Sequence, residues 1–152
     1  MRITIAAVGR LRDAVLRAPY DDYVGRLGWS VALKEVEEKR KLTGPERMAS
    51  ESRLLAEALP AKAVVVALDP RGKTLSSEDF AAQIGRWQDD GVAELGFVIG
   101  GADGLAPDWR RNARLVLSLG AMTWPHMLVR VMLAEQLFRA QSILSGHPYH
   151  RA

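Results

Sequence analysis

The end of the chain places three chemically different side chains next to one another. Tyr149 carries a ring that can stack on a base, His150 can exchange a proton near neutral pH, and Arg151 can hold a phosphate or a base carbonyl. Composition alone predicts that these residues are poorly ordered, because the last residues of most domains are.

Two loops earlier in the chain are candidates for contact with a ligand. Gly100, Gly101 and Gly104 follow a buried apolar run, and glycines let a backbone approach a ligand closely. Their spacing departs from the G-x-G-x-x-G dinucleotide pattern, and spacing alone favours a plain turn. Residues 119–124, Leu-Gly-Ala-Met-Thr-Trp, are unusually apolar for a loop. They fit either the wall of a ligand pocket or ordinary core packing.

Several kinds of chemistry are not indicated. The 152 residues include no cysteine, which excludes disulfides and thiolate catalysis. His147 and His150 straddle Pro148 with no carboxylate cluster nearby, so no metal site is expected. No serine sits in an elbow motif beside these histidines, which argues against a hydrolytic triad.

Positive charge is concentrated in the last third of the chain. The whole chain carries a net charge of +3, but residues 109–152 hold six arginines and one acid, a net charge of +5. This segment also contains all three histidines. An anionic partner such as RNA and a merely solubilising cationic surface fit this distribution equally well.

The hydrophobic pattern alternates between strands and helices. Strands are predicted at 2–8, 29–36, 63–68, 94–99 and 114–119, and helices at 19–27, 45–59, 76–88, after Pro107 and at 125–145. A turn is predicted at 69–72. This order predicts a single α/β domain over 1–152, with a mostly parallel sheet flanked by helices. Because ligands collect at the carboxyl ends of parallel strands, the loops 69–73, 100–105 and 119–124 are expected to form a pocket.

The predicted helix 125–145 is apolar nearly all round, so it is expected to be buried, in part against a partner subunit. Glu135 and Arg139 are spaced to form an ion pair with each other, and Arg130 lies one turn after His126. No apolar run approaches the about 18 residues that cross a membrane, and the N-terminus is not a signal peptide. The protein is therefore expected to be soluble and cytoplasmic.

Taken in order, these segments resemble the RlmH family of ribosomal large-subunit pseudouridine N3-methyltransferases, within the SPOUT superfamily. The resemblance covers nearly the whole chain and is weak only over about residues 10–60. The matching residues are Leu68-Asp69-x-x-Gly72-Lys73, Ile99-Gly100-Gly101-x-x-Gly104-Leu105, Leu117-Ser118-Leu119, Met122-Thr123-x-Pro125-His126, Leu128-x-Arg130, Glu135-Gln136, Arg139-Ala140 and His147-Pro148-Tyr149-His150-Arg151.

The resemblance implies a SPOUT-type fold with a C-terminal trefoil knot and a homodimer built around the last helix. It implies methylation of N3 of a pseudouridine in 23S rRNA, within assembled ribosomes, with S-adenosylmethionine as cofactor. The cofactor-binding residues would be Leu68, Gly100, Leu119, Gly120, Ala121, Met122, Thr123 and Trp124. The catalytic candidates would be Tyr149, His150 and Arg151, which reach the pocket of the partner subunit, and Arg130 beside the cofactor loop.

The sequence departs from the family pattern at three positions. Phe138 stands where Tyr is common, Gly120 where Ser is expected, and Arg151 where Lys is frequent.

Two other functions are compatible with parts of the pattern. One is a nucleotide-binding module that uses residues 100–104 for phosphate, and the other is a ribosome-binding protein without methyl transfer.

Overall fold

A computed structural model describes residues 1–151 and shows a five-stranded sheet covered by helices on both faces. The strands lie in the order β2-β1-β4-β3-β5, and each neighbouring pair is parallel. This confirms the predicted α/β architecture. The strands are β1 (Arg2–Val8), β2 (Ser30–Val36), β3 (Val64–Thr74), β4 (Glu94–Ile99) and β5 (Leu115–Ser118). The helices are α1 (Ala14–Gly25), α2 (Gly44–Ala58), α3 (Ser77–Asp89), α4 (Pro107–Asn112) and α5 (His126–Ser145).

Short polar side chains and one glycine set the helix ends. The Ser76 hydroxyl accepts the Asp79 N–H at 3.0 Å, so α3 begins as its sequence predicts. Gly146, with φ +73°, ends α5 in the left-handed conformation. The predicted start of α1 at Pro19 is wrong. The Asp13 carboxylate caps the Val15 N–H at 2.8 Å, so the helix begins at Ala14 and Pro19 lies inside it.

The core has two parts, one on each face of the sheet. The larger part joins the sheet to α1, α3 and α5 through side chains such as Phe97, Ile84 and Leu137. The smaller part packs Leu55 of α2 and Leu105 against Val98 on the opposite face. Complete burial of such a side chain contributes about 1.5–3 kcal/mol. Between residues 1 and 151 no helix has the length and apolarity needed to span a bilayer.

The predicted end of β3 at residue 68 and the predicted turn at 69–72 are both wrong, because β3 continues to Thr74 with an irregularity in its pairing between Leu68 and Lys73. Leu117 of β5 pairs with both Leu68 and Lys73, and residues 69–72 bridge the two halves of β3. Gly72 crosses directly over the β5 backbone. A Cβ added to Gly72 would lie 2.5 Å from the Val116 carbonyl oxygen, so only glycine fits this crossing.

Candidate functional site

A pocket of about 490 Å³ opens beyond the carboxyl ends of β4 and β5, beside residues 68–71 of β3. Its size is that of a typical small-molecule site. Seven of the eight residues expected to bind a cofactor line it; Ala121, which is exposed, does not. The seven are Leu68, Gly100, Leu119, Gly120, Met122, Thr123 and Trp124.

The loop after β4 forms one wall of this pocket and folds tightly on itself. The Gly104 N–H donates to the Gly101 carbonyl at 3.0 Å. A Cβ added to Gly100 would lie 2.6 Å from the carbonyl carbon of Gly104. The glycines therefore form a turn, as their spacing indicates, and this turn also lines the pocket.

The loop after β5 forms a second wall. The Ser118 hydroxyl donates to the Gly120 carbonyl at 3.0 Å and accepts the Gly120 N–H at 3.1 Å. Gly120 has φ +117°, a conformation that a serine at this position would adopt only under strain. The Trp124 indole donates to the Leu119 carbonyl at 3.2 Å and holds the end of the loop. Met122 is 74% exposed at the pocket mouth.

An ion pair at the pocket mouth was not anticipated from the sequence. Asp69 is buried and accepts the Arg71 N–H at 2.9 Å and Arg110 Nη1 at 3.2 Å. The Asp69-Pro70-Arg71-Gly72 turn signal could have pointed to the first contact. Arg111 pairs with Asp108 on its own helix. The guanidinium groups of Arg110 and Arg111 are therefore both paired with acids of the same chain.

His126 begins α5 and lines the pocket. Its Nδ1 is buried and has no hydrogen-bond partner among residues 1–151. Burial lowers the pKa of His126, and the nearby Arg130 charge lowers it further. The burial of the imidazole in the pocket wall therefore favours its neutral form.

The expectation that Arg130 lies beside the cofactor loop as a catalytic candidate requires a correction. Its side chain is completely buried and does not line the pocket. Nη1 donates to Glu35 Oε2 at 2.7 Å, and Nη2 donates to the Val8 and Gly9 carbonyls at 2.6 and 2.8 Å. Arg130 therefore ties α5 to the ends of β1 and β2 and can act only through other residues.

The C-terminal tail packs against its own subunit as far as His150. The Tyr149 hydroxyl donates to Glu135 Oε1 at 2.9 Å, and the Tyr149 ring meets Phe138 at a centroid distance of 4.7 Å. Burial, followed by hydrogen bonding, raises the pKa of Tyr149. Arg139 pairs with Glu135 at 3.0 Å, which confirms the predicted i,i+4 pair.

His150 is held on both sides of its ring. Arg139 Nη1 lies 3.1 Å from Nδ1, and Glu78 Oε1 lies 2.8 Å from Nε2. Since arginine only donates, Nδ1 accepts and Nε2 carries the proton that it donates to Glu78. This contact lowers the pKa of Glu78. Arg151 is exposed. None of the three tail residues lines the pocket of its own subunit.

A second cavity of about 620 Å³ lies between α1, α3 and α5. It shares Leu117, Leu119 and Gly120 with the first pocket, and its rim includes Tyr23 and Glu135. Tyr23 and Glu135 both contact Tyr149, so the tail sits beside this second cavity. Among residues 1–151 no group of three His, Cys, Asp or Glu side chains could hold a metal ion.

The class of protein follows from comparison with known families. Residues 1–150 match the family of predicted SPOUT methyltransferases. The chain therefore belongs to the SPOUT methyltransferase family. The fold agrees. A probable methylase family protein from Haemophilus influenzae superposes with a TM-score of 0.60 at 10% identity, over 99% of this chain and 70% of its own. TrmJ from Z. mobilis superposes with a TM-score of 0.58 at 16% identity, over 93% of this chain and 70% of its own.

Full-length relatives define the group more narrowly. The chain is 56% identical to ribosomal RNA large subunit methyltransferase H of Rhodospirillum centenum, over 100% of both chains. It is 52% identical to the protein of the same name from Paramagnetospirillum magneticum, over 99% of both chains. Within the SPOUT methyltransferases, the chain is thus a member of the ribosomal RNA large subunit methyltransferase H family.

Proposed function

We propose that this chain transfers a methyl group from S-adenosylmethionine to N3 of a pseudouridine in 23S rRNA of assembled ribosomes. The observation that carries the proposal is the pocket at the ends of β4 and β5 and beside residues 68–71, lined by seven of the residues that the family resemblance selects. Full-length similarity to ribosomal RNA large subunit methyltransferase H supports the substrate class. The whole chain would act as one SPOUT domain in the cytoplasm, where ribosomes are found.

The residues present fit S-adenosylmethionine. The pocket combines apolar walls from Leu68, Leu119 and Trp124 with the backbone groups of two tight glycine turns. Such a mixture suits an adenine ring, which needs flat apolar contact and a few fixed polar partners. The buried, unpartnered His126 Nδ1 offers a further polar group in the wall.

The methyl donor, when bound, supplies an electrophilic methyl group on a positively charged sulfur. Leu68, Gly100 and residues 119–124 would hold it, and the protein's own task is positioning and exclusion of water. A neutral His126 in the wall suits a cationic ligand, because an imidazolium there would repel the sulfonium charge.

The pseudouridine N3–H is a weak acid that must lose its proton before it can accept a methyl group. His150 would receive this proton, or Arg151 would stabilise the resulting anion, while the Tyr149 ring stacks on the base. His150 Nδ1 is the acceptor nitrogen of the ring and is engaged by Arg139 in the isolated subunit. Contact with substrate would replace this partner.

A homodimer would bring the tail to a pocket. The tail of one subunit lies beside the second cavity and outside its own pocket, which supports a role for its residues at the pocket of another copy. Val131 and Met132 of α5 line this cavity, and Leu144 near the helix end is 43% exposed. These apolar positions suit an α5-centred interface.

The trefoil knot expected for the family is also part of the proposal. Its support is the crossing of residues 69–72 over β5, with Leu68 and Lys73 both paired to Leu117. The chain that continues from β5 into α5 would then pass through the loop closed by this crossing.

The experiment that tests the function is transfer of labelled methyl from S-adenosylmethionine to ribosomes that lack their native methylation. Intact ribosomes, separated large subunits and naked rRNA are assayed in parallel. We expect label only or mainly in intact ribosomes. Cofactor binding without label on any substrate would contradict methyl transfer, and absence of cofactor binding would contradict the assignment of the pocket.

A further inference from the structure

Four cations lie together at the β5 edge of the sheet: Arg71, Lys73, Arg86 and Arg114, here called the edge cation cluster. They come from the residues that cross β5, from α3 and from the position just before β5. All four are exposed. In the described part of the chain none of them forms an ion pair, whereas Arg17, Arg26, Arg40, Arg110 and Arg111 each pair with a nearby acid.

Three members of the cluster line one cavity of about 350 Å³, Lys73, Arg86 and Arg114. The only acid in its lining is Asp90, so the walls carry a net charge of +2. The side chain of Trp87 is buried beneath it, and Arg86 Nη2 is steadied by Gln83 Oε1 at 2.8 Å. A concave surface with uncompensated positive charge attracts anions.

The fourth member connects this cavity to the large pocket. Arg71 lines the large pocket, and Lys73, two residues further along, lines the small cavity. Between them Gly72 crosses over β5. The positive charge therefore begins at the mouth of the pocket and continues along the edge of the sheet. A single small anion would need only one of these positions, whereas a polyanion can use them all.

We propose that the edge cation cluster binds the phosphate backbone of the RNA on one side of the nucleotide that enters the pocket. This inference rests on the proposed function and names the surface that holds its substrate. Cations free of carboxylate partners are the ones that can neutralise phosphates and release counterions. Arg114 suits this role because its backbone N–H is already fixed by the Val65 carbonyl at 2.9 Å, which leaves its side chain outside the fold.

The test compares two triple variants with the same change in net charge. The first is Lys73→Ala, Arg86→Ala, Arg114→Ala. The control is Lys34→Ala, Arg53→Ala, Lys62→Ala, which removes three exposed cations elsewhere. For each variant, binding to ribosomes is measured at several salt concentrations, together with kcat, KM and the affinity for S-adenosylmethionine.

For the cluster variant we expect KM for ribosomes to rise about tenfold or more, with kcat and cofactor affinity unchanged. The slope of log affinity against log salt concentration should become shallower by roughly 2, at about 0.7–0.9 per phosphate contact. The control should match the unmodified chain. Equal KM and equal salt slopes for the two triple variants would overturn the proposal.

Three further outcomes distinguish failure of this proposal from failure of the proposed function. If the cluster variant loses cofactor binding, the single variants Lys73→Gln and Arg114→Gln replace it, and unchanged salt slopes in both would overturn the proposal. If the unmodified chain binds ribosomes through the cluster but transfers no label, the methyl-transfer function fails and the surface stands. If label is transferred and the cluster variant equals the control, the surface fails and the function stands.

Discussion

Arg130 of α5 and Glu35 of β2 form an ion pair, with Arg130 Nη1 2.7 Å from Glu35 Oε2, although 95 residues separate them in sequence. Glu35 Oε2 also accepts the Leu11 N–H at 2.6 Å. The pair thus connects the chain after β1, the end of β2 and the first half of α5. Because α5 starts at the pocket, this ion pair helps to fix the position of the pocket wall, although the pair itself does not line the pocket.

Replacing Arg130 with Met should destabilise the protein by about 3 kcal/mol. The change removes the charge partner of Glu35 and the guanidinium donor of the Val8 and Gly9 carbonyls. Urea unfolding checks this value. The control is Arg2→Met, because the Arg2 side chain is 70% exposed in its pair with Glu94. It should cost under about 1 kcal/mol. Equal losses for the two variants would show that Arg130 does not hold the fold together.

Replacing Gly72 with Ala should destabilise the protein by about 2–3 kcal/mol or prevent folding. The new Cβ would lie 2.5 Å from the Val116 carbonyl oxygen, and the β5 backbone cannot easily move away. Gly25→Ala is the matched control, because nothing lies within 4 Å of its added Cβ, and it should be neutral or stabilise by up to about 1 kcal/mol. Thermal unfolding of both variants measures the difference. A Gly72→Ala protein as stable as the control would refute the close crossing.

Stability should fall as pH drops from about 7 towards 5, in part because of His126. The pKa of His126 is lowered from its ordinary value of 6.5 by burial and by Arg130. The unfolded chain therefore binds a proton at a higher pH than the folded chain does, so acid favours unfolding in that window. In His126→Gln, the pH dependence of urea unfolding between about pH 7 and 5 should be shallower. An unchanged dependence would show that His126 does not contribute.

The strands and the pocket loops were predictable because their signals are local. Glu94–Ile99 has one charged residue at its start, is otherwise free of charge and is followed by glycines, and the structure gives the predicted bounds. The predicted loops 100–105 and 119–124 do meet at one pocket, and the third wall comes from residues 68–71, which lie inside β3 and not in a loop. These patterns work because a buried parallel strand needs apolar side chains on both faces.

The contacts between distant parts of the chain were not predictable. Nothing in the spacing of Arg130 shows that Glu35 and the end of β1 receive its guanidinium. The second half of β3 was missed because Asp69-Pro70-Arg71-Gly72 has the composition of a turn, whereas its place inside β3, crossing over β5, depends on tertiary packing. Composition alone favoured a frayed tail, but contacts with Glu135 and Phe138 of α5 and with Glu78, 72 residues away from His150, hold it in place.

Deleting residues 149–152 should reduce turnover by about 100-fold or more and leave affinity for S-adenosylmethionine within about twofold. The reason is that the tail lies outside the pocket of its own subunit but carries the groups proposed to handle the base. Single-turnover methyl transfer and calorimetric cofactor binding measure the two effects. The control deletion removes Ala152 alone. Full turnover after the longer deletion would exclude Tyr149, His150 and Arg151 from the chemistry.

The central claim is that this pocket delivers a methyl group to N3 of a pseudouridine. The most direct test is mass spectrometry of nucleosides from ribosomes incubated with the chain and S-adenosylmethionine carrying a deuterated methyl group. The account predicts one new labelled nucleoside that coelutes with synthetic N3-methylpseudouridine. Label in any other nucleoside, or in none while the cofactor remains bound, would contradict it.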